Sequence, residues 1–134
     1  MTPVRDVEIP MHVLIVEPDP ARAAPWRRTI EATGAAVTVA GGREAAVRAI
    51  REQDVALIVL NLGLPGDGAF AVADFASYAR PGARVLFVSS APVMTDGSVF
   101  RHAANACGFL GADSRAEDIA AIALHHAGRG RHAV

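Results

Sequence analysis

The sequence predicts a doubly wound α/β domain, a parallel five-stranded sheet with helices on both faces. Two observations predict it. Three short runs, at 12–16, 56–60 and 85–88, are almost purely apolar and rich in β-branched residues. Runs of that length without polar alternation suit strands buried on both faces. The stretches between them carry apolar residues at helical spacing, and the connections are short, so strand and helix alternate along the chain.

The elements follow in order. After the first strand, Asp19 reads as a helix N-cap with Pro20 at the first helical position, and Gly34 supplies the stop. Pro25 falls inside that helix; a proline costs about 3 kcal/mol in a helix interior, so a kink or a late start is expected. A weaker strand spans 36–40. The helix at 42–53 sets Ala46, Val47 and Ile50 on one side and Arg and Glu on the other. The helix at 68–78 repeats the pattern with Phe70, Val72, Ala73 and Ala76. A short helix is expected at 98–105 and a second weak strand at 107–110. Ser114 and Glu117 fit a capping box that opens the last helix, which Gly128 ends. Five strands in this arrangement favour the flavodoxin-like order 2-1-3-4-5. The domain is expected to span 11–127, with a loose lead-in at 1–10 and a short tail at 128–134.

Composition narrows the function. The chain has 134 residues, enough for one domain, and 51% of them are apolar, enough for a real core. The formal net charge is −1 and no basic block stands out, which weighs against direct nucleic-acid or membrane-surface binding. No run reaches the roughly 18–20 apolar residues of a membrane helix. The first ten residues hold Arg5, Asp6 and Glu8 and no apolar signal core. Cys107 is the single cysteine, so there is no internal disulfide, a zinc site is not expected, and the cytoplasm is the expected compartment. Cys107 itself reads as a small buried residue rather than a reactive thiol.

In this fold ligands bind beyond the carboxyl ends of the strands, near the switch point between strands 1 and 3. Four segments lie there: 17–19, 61–68, 89–91 and 111–113. The string Val13-Leu-Ile-Val-Glu-Pro-Asp-Pro20 resembles the first strand of bacterial response-regulator receiver domains, which ends in an acidic pair. Val59-Leu-Asn-Leu-Gly-Leu-Pro65 resembles their third strand and the following loop, where an aspartate accepts phosphate. Ser90-Ala91 is similar to the hydroxyl–alanine step after the fourth strand. Ala106-Cys-Gly-Phe-Leu-Gly-Ala112 resembles the fifth, where an aromatic precedes a lysine by three positions. Each motif alone is weak; their agreement in order and spacing, over roughly residues 11–127, is strong.

The departures decide function. Asn61 occupies the phosphoacceptor position, and its neutral amide cannot form the acyl phosphate a carboxylate forms. Pro18 fills the second acidic position, which leaves Glu17 and Asp19 as oxygen donors for a divalent cation. Ala112 stands where the lysine is implied, so the cation that pairs with phosphoryl oxygens is missing. Ser90 and Phe109 match the switch hydroxyl and the switch aromatic, and the turn at 65–68 is shorter than usual. Three losses in one pocket point to a naturally degenerate site rather than one engineered change. Plainer roles stand beside these: Asp19 as an N-cap, Asp67 closing a turn with Gly68, Ser90 bonded to nearby backbone, and His125 and His126 favourably placed at a helix C-terminus.

The resemblance therefore implies an atypical, phosphorylation-independent receiver that acts by binding signalling proteins: a sensor kinase, another regulator or the transcription machinery. No catalytic residue, metal or cofactor is expected. The last helix is apolar around most of its cylinder, so Ala121 and Ile122, with Phe100 before it, are expected to form an interaction face, through which a homodimer forms. The rival class is a small flavodoxin-like nucleotide-binding protein or enzyme using the same crevice. The turn at 17–21 speaks against it, since it has no glycine and carries acid where a phosphate cradle needs open backbone. A third reading, a conventional receiver phosphorylated at Asp67, ranks below both. The loop at 91–97 is expected to be the most variable part of the crevice rim.

Overall fold

A computed structural model describes residues 11–89, 105–111 and 114–132. The elements are β1 (His12–Val16), α1 (Pro20–Glu31), β2 (Ala36–Ala40), α2 (Arg43–Glu52), β3 (Leu57–Asn61), α3 (Gly68–Ala79), β4 (Arg84–Ser89), β5 (Ala106–Gly111) and α4 (Ala116–His132). Every strand pairing is parallel and the order is β2-β1-β3-β4-β5. This is the expected flavodoxin-like doubly wound sheet. The loop at 91–97, most of the expected helix at 98–105, and Ser90, Phe100 and Ala112 lie outside the described residues.

The apolar strands are buried on both faces because successive side chains point to opposite sides. Leu14 and Val16, Ile58 and Leu60, and Val85 and Phe87 pack under α2 and α3. Val13 and Ile15, Leu57 and Val59, and Leu86 and Val88 pack under α1 and α4. Phe87 meets Phe70 of α3 with ring centroids 5.8 Å apart and tilted, an edge-biased contact. Gly34 ends α1 in the left-handed region at φ 100°, as its position after the helix predicts.

Four expectations are corrected. Helix α1 begins at Pro20, so Pro25 is taken into the helix and there is no late start; the Thr29 hydroxyl donates to the Pro25 carbonyl at 2.8 Å. Helix α4 begins at Ala116, and the Arg115 carbonyl accepts its first helical bonds, so Ser114 precedes the cap position. It then continues through Gly128 to His132. Glycine inside a helix costs about 1 kcal/mol, which weakens a helix without stopping it. Positions 125 and 126 are consequently interior to α4 rather than at its end. No helix among the described residues is long and apolar enough to cross a membrane.

At the opposite end of the sheet from the crevice, Thr38 of β2 gives its hydroxyl proton to Gln53 Oε1 at 2.9 Å. It therefore receives one from His12 Nε2 at 2.7 Å, which assigns the Nε2–H tautomer. Burial lowers the pKa of His12. The unfolded chain then takes up the proton more readily than the folded one. Stability is full above the ordinary histidine value of about 6.5 and falls as pH drops through it toward the lowered folded value. Urea midpoints for the protein and for His12→Gln, followed from about pH 8 to about pH 5, should show a shallower acid loss in the variant; equal slopes would remove His12 from the account.

Candidate functional site

The crevice is set by strand register. Val16 stands beside Leu60 across the β1–β3 pair, so the next residues, Glu17 and Asn61, meet at the strand ends. Both are buried polar residues, 2% and 5% exposed. Asn61 Nδ2 donates to Glu17 Oε1 at 2.7 Å. The Gly63 N–H donates to Asn61 Oδ1 at 2.6 Å. These two bonds fix the amide's orientation: flipped, it would set its oxygen against the carboxylate and its NH₂ against an N–H. A Cβ at position 63 would lie 3.0 Å from Asn61 Oδ1, close enough that the amide would have to give by a few tenths of an ångström.

The second oxygen of Glu17 is also engaged. The Asp19 N–H donates to Glu17 Oε2 at 2.9 Å, so the carboxylate folds back over its own loop. The Glu17 N–H continues the β1–β2 ladder to the Ala40 carbonyl at 3.0 Å. Arg22, in the first turn of α1, brings Nη1 within 3.9 Å of Glu17 Oε1. The arginine side chain is 37% exposed, so solvent screens part of that attraction.

The other expected members sit differently. Pro18 is exposed and offers no ligand atom. Asp19 is exposed, and its Oδ1 accepts from the Ala21 N–H at 3.0 Å, which makes it the N-cap of α1. In the loop after β3, Gly68 N–H closes a turn on the Pro65 carbonyl at 3.1 Å, with Gly66 at φ 62°. Asp67 is the exposed residue before α3 and makes no side-chain cap bond. Phe109 of β5 is half-buried and packs against the layer under α2 and α3. Cys107 is half-buried on β5; burial pushes its thiol pKa up, against the opposing pull of the Arg84 charge.

The expected face on the last helix is altered. Ile119 and Ala123 are fully buried and Ala121 is exposed, but Ile122 is half-buried and packs against the α1–α4 layer. A helix this apolar sinks a wide stripe into the sheet, so Ile122 flanks the core rather than pointing away from it. Arg22 and Gly63 were not singled out from the sequence. Arg22 was findable as the third residue of a helix whose N-terminus overhangs the strand ends; Gly63 carried no comparable signal.

A hard divalent cation needs several oxygen ligands at once. Here one carboxylate is buried with both oxygens bonded, a proline replaces the second, and the third caps a helix. The described residues do not fit that cation, and no group of three or more His, Cys, Asp or Glu among them lies close enough to hold one.

No protein-family model matches the sequence, and no curated protein matches it. Solved structures do match its fold. A CheY-like response regulator receiver domain protein from Methanospirillum hungatei JF-1 superposes with a TM-score of 0.81 at 20% identity, covering 92% of this chain and 98% of its own. The signal receiver domain of a LuxO repressor protein from Vibrio parahaemolyticus gives 0.80 at 18% identity, covering 92% and 94%. A Burkholderia pseudomallei response regulator, determined with a phosphorylated aspartic acid and a calcium ion, gives 0.74 at 20% identity, covering 90% and 71%. The fold is that of CheY-like receiver domains.

Asn61→Asp replaces the amide donor by a second carboxylate beside Glu17. Two like charges at that separation do not both ionise, so the pair's apparent pKa rises in the folded state. The folded variant then holds more protons than the unfolded one, and its stability falls as pH rises through that value. The expected loss is about 1–3 kcal/mol at pH 7, shrinking as pH drops below about 5. Urea unfolding at both ends of that range checks it, and a variant as stable as the parent at pH 7 would show that the Glu17–Asn61 bond contributes little.

Proposed function

We propose that residues 11–127 form an atypical response-regulator receiver domain that works without phosphorylation, as a protein-interaction module in cytoplasmic signal transduction. The observation that carries this reading is the buried bond from Asn61 Nδ2 to Glu17 Oε1. An amide proton stands between the two strand ends where a receiver places a metal-bridged pair of carboxylates. The crevice is thereby satisfied internally, with Gly63 and Asp19 filling the remaining acceptor positions.

Three further features agree with it. Asn61 is not a nucleophile toward phosphorus. Pro18 supplies no metal ligand. Ala112 supplies no cation, and since every basic residue outside the five histidines is arginine, no lysine elsewhere in the chain stands in for it. Ser90 and Phe109 retain the residue types of the switch, so in this reading they pass on the effect of a bound partner rather than of phosphate. The partners are signalling proteins: a sensor kinase, another regulator or the transcription machinery.

Incubation with acetyl phosphate and magnesium should leave no acid-labile phosphate on the protein, and Asn61→Asp alone should not restore efficient labelling, because Pro18 and Ala112 remain. Fluorine NMR of the unmodified protein with beryllium fluoride should show only free species; a bound resonance would sink the proposal.

A further inference from the structure

One edge of the sheet lacks the devices that keep strand edges apart. Strand β2 closes the order β2-β1-β3-β4-β5 on one side. Its ladder to β1 uses Ala36, Thr38 and Ala40: the Ala36 N–H donates to the Met11 carbonyl at 2.8 Å, and the Ala40 carbonyl accepts from the Glu17 N–H at 3.0 Å. Inward and outward bonding alternate along a strand, so Val37 and Val39 turn their N–H and C=O groups away from β1. Among the described residues no backbone group outside the sheet bonds to either. The β1–β2 ladder runs without a register shift, so there is no bulge. From Thr33 to Gly42 the chain has neither a charge nor a proline, the residues that blunt an edge. Gly34 and Gly41, at the two ends, have nothing within 4 Å of where a Cβ would stand. The helices on either face are tied inward. Helix α1 shares its layer with α4. Helix α2 is tied toward α3: Arg80, just past α3, donates from Nε to the Ile50 carbonyl at 3.0 Å and from Nη2 to the Arg51 carbonyl at 3.2 Å. Ala36 through Val39 are only half-buried, whereas Val13 through Val16 of the neighbouring β1 are fully buried.

We infer that β2 pairs edge to edge with β2 of a second copy of this chain. The strand reads Ala36-Val37-Thr38-Val39-Ala40, the same in both directions. An antiparallel partner related by a two-fold axis through Thr38 therefore meets its own sequence, with Ala36 opposite Ala40, Val37 opposite Val39, and Thr38 opposite Thr38. The outward groups fall in phase with that axis. Val37 of one copy and Val39 of the other form a hydrogen-bonded pair, which exchanges both N–H to C=O bonds, and Thr38 stands at the closer, non-bonded position between the two such pairs. Opposed valines are favourable cross-strand neighbours, and no like charges meet along the strand. The Thr38 hydroxyl is already held between His12 and Gln53 of its own copy, so it asks nothing of the partner. Pairing of β2 with the far edge, β5, would repeat into an open filament, whereas β2 on β2 closes as a dimer. The edge is roughly 17 Å of strand by about 30 Å across its three layers, so the pair buries about 1,000 Å². That is the lower limit of specific interfaces, and the dimer is accordingly weak, with a dissociation constant on the order of 10–100 μM. The inference goes beyond the interaction-module reading and does not depend on it.

Sedimentation velocity on the full 134-residue chain, from about 1 μM to about 1 mM, reads the dimer, and amide hydrogen exchange over the same range locates it. The Val37 and Val39 N–H groups should exchange freely when dilute and slow severalfold as the dimer fraction rises, while those of Thr38 and Ala40, bonded to β1, should change little. Val37→Pro removes an outward donor that β1 does not use, and proline suits an edge strand on that side, so it should weaken dimerisation about tenfold or more and leave the monomer folded. Thr38→Cys in a Cys107→Ala background should cross-link to a dimer on mild oxidation, because the two positions meet on the axis; it carries the test if the proline variant does not fold. A monomer throughout, a dimer unmoved by Val37→Pro, or no cross-link at position 38 would overturn the inference. So would Val37 and Val39 amides that are already slow in the monomer, as pairing with the chain's own first ten residues would make them. None of these results bears on the phosphate-free reading, which acetyl phosphate decides separately.

Discussion

Strands β1 and β3 run side by side with Val16 level with Leu60, and one step further the same alignment delivers a carboxylate to an amide. The crevice is organised around that meeting. A buried carboxylate must find donors or give up its charge. Glu17 finds three neighbours: the Asn61 amide, the Asp19 N–H and, at longer range, the Arg22 guanidinium. Asn61 in turn must find a donor for its oxygen, and the Gly63 N–H is there. The loops after β1 and β3 are thus shaped by one hydrogen-bond relay. An aspartate at position 61 would ask for a cation at the point where this relay supplies a proton.

Much of the fold was legible because its strongest signals are local. Strands buried on both faces leave apolar runs with no alternation, and 12–16, 56–60 and 85–88 were such runs. Asp19 followed by Pro20 marked the start of α1 because capping chemistry is read by residue type alone. The ends of α4 were less legible. Ser114 and Glu117 fit a pattern that the helix does not use, and Gly128 is a residue that often stops helices but here continues one. The orientation of Ile122 also escaped, since an almost wholly apolar helix contains no polar residues to mark which side is wet.

The site divides along the same line. That Glu17 and Asn61 share a pocket followed from topology, because strands 1 and 3 are neighbours in this fold class. That they bond to each other, with Gly63 closing the relay, depends on distances of a few tenths of an ångström that no spacing rule encodes. Arg22 lies between these cases. The plainer role expected of Asp19 held because an N-cap is satisfied by the helix that immediately follows it, without help from distant parts of the chain.

Arg80 joins what the chain order keeps apart. The last carbonyls of a helix are usually answered within a residue or two of its end. Those of α2 wait for a side chain that follows β3 and all of α3 in sequence. The crossover that carries α2 is therefore left with open acceptors until the one that carries α3 has docked. Assembly of the middle of the sheet becomes a joint event rather than the addition of one finished unit to another. A nick or circular permutation in the segment between α2 and β3 would leave Arg80's two acceptors on one side of the break and Arg80 itself on the other, joined by the β1–β3 ladder, the Glu17–Asn61 bond and packing rather than by the chain.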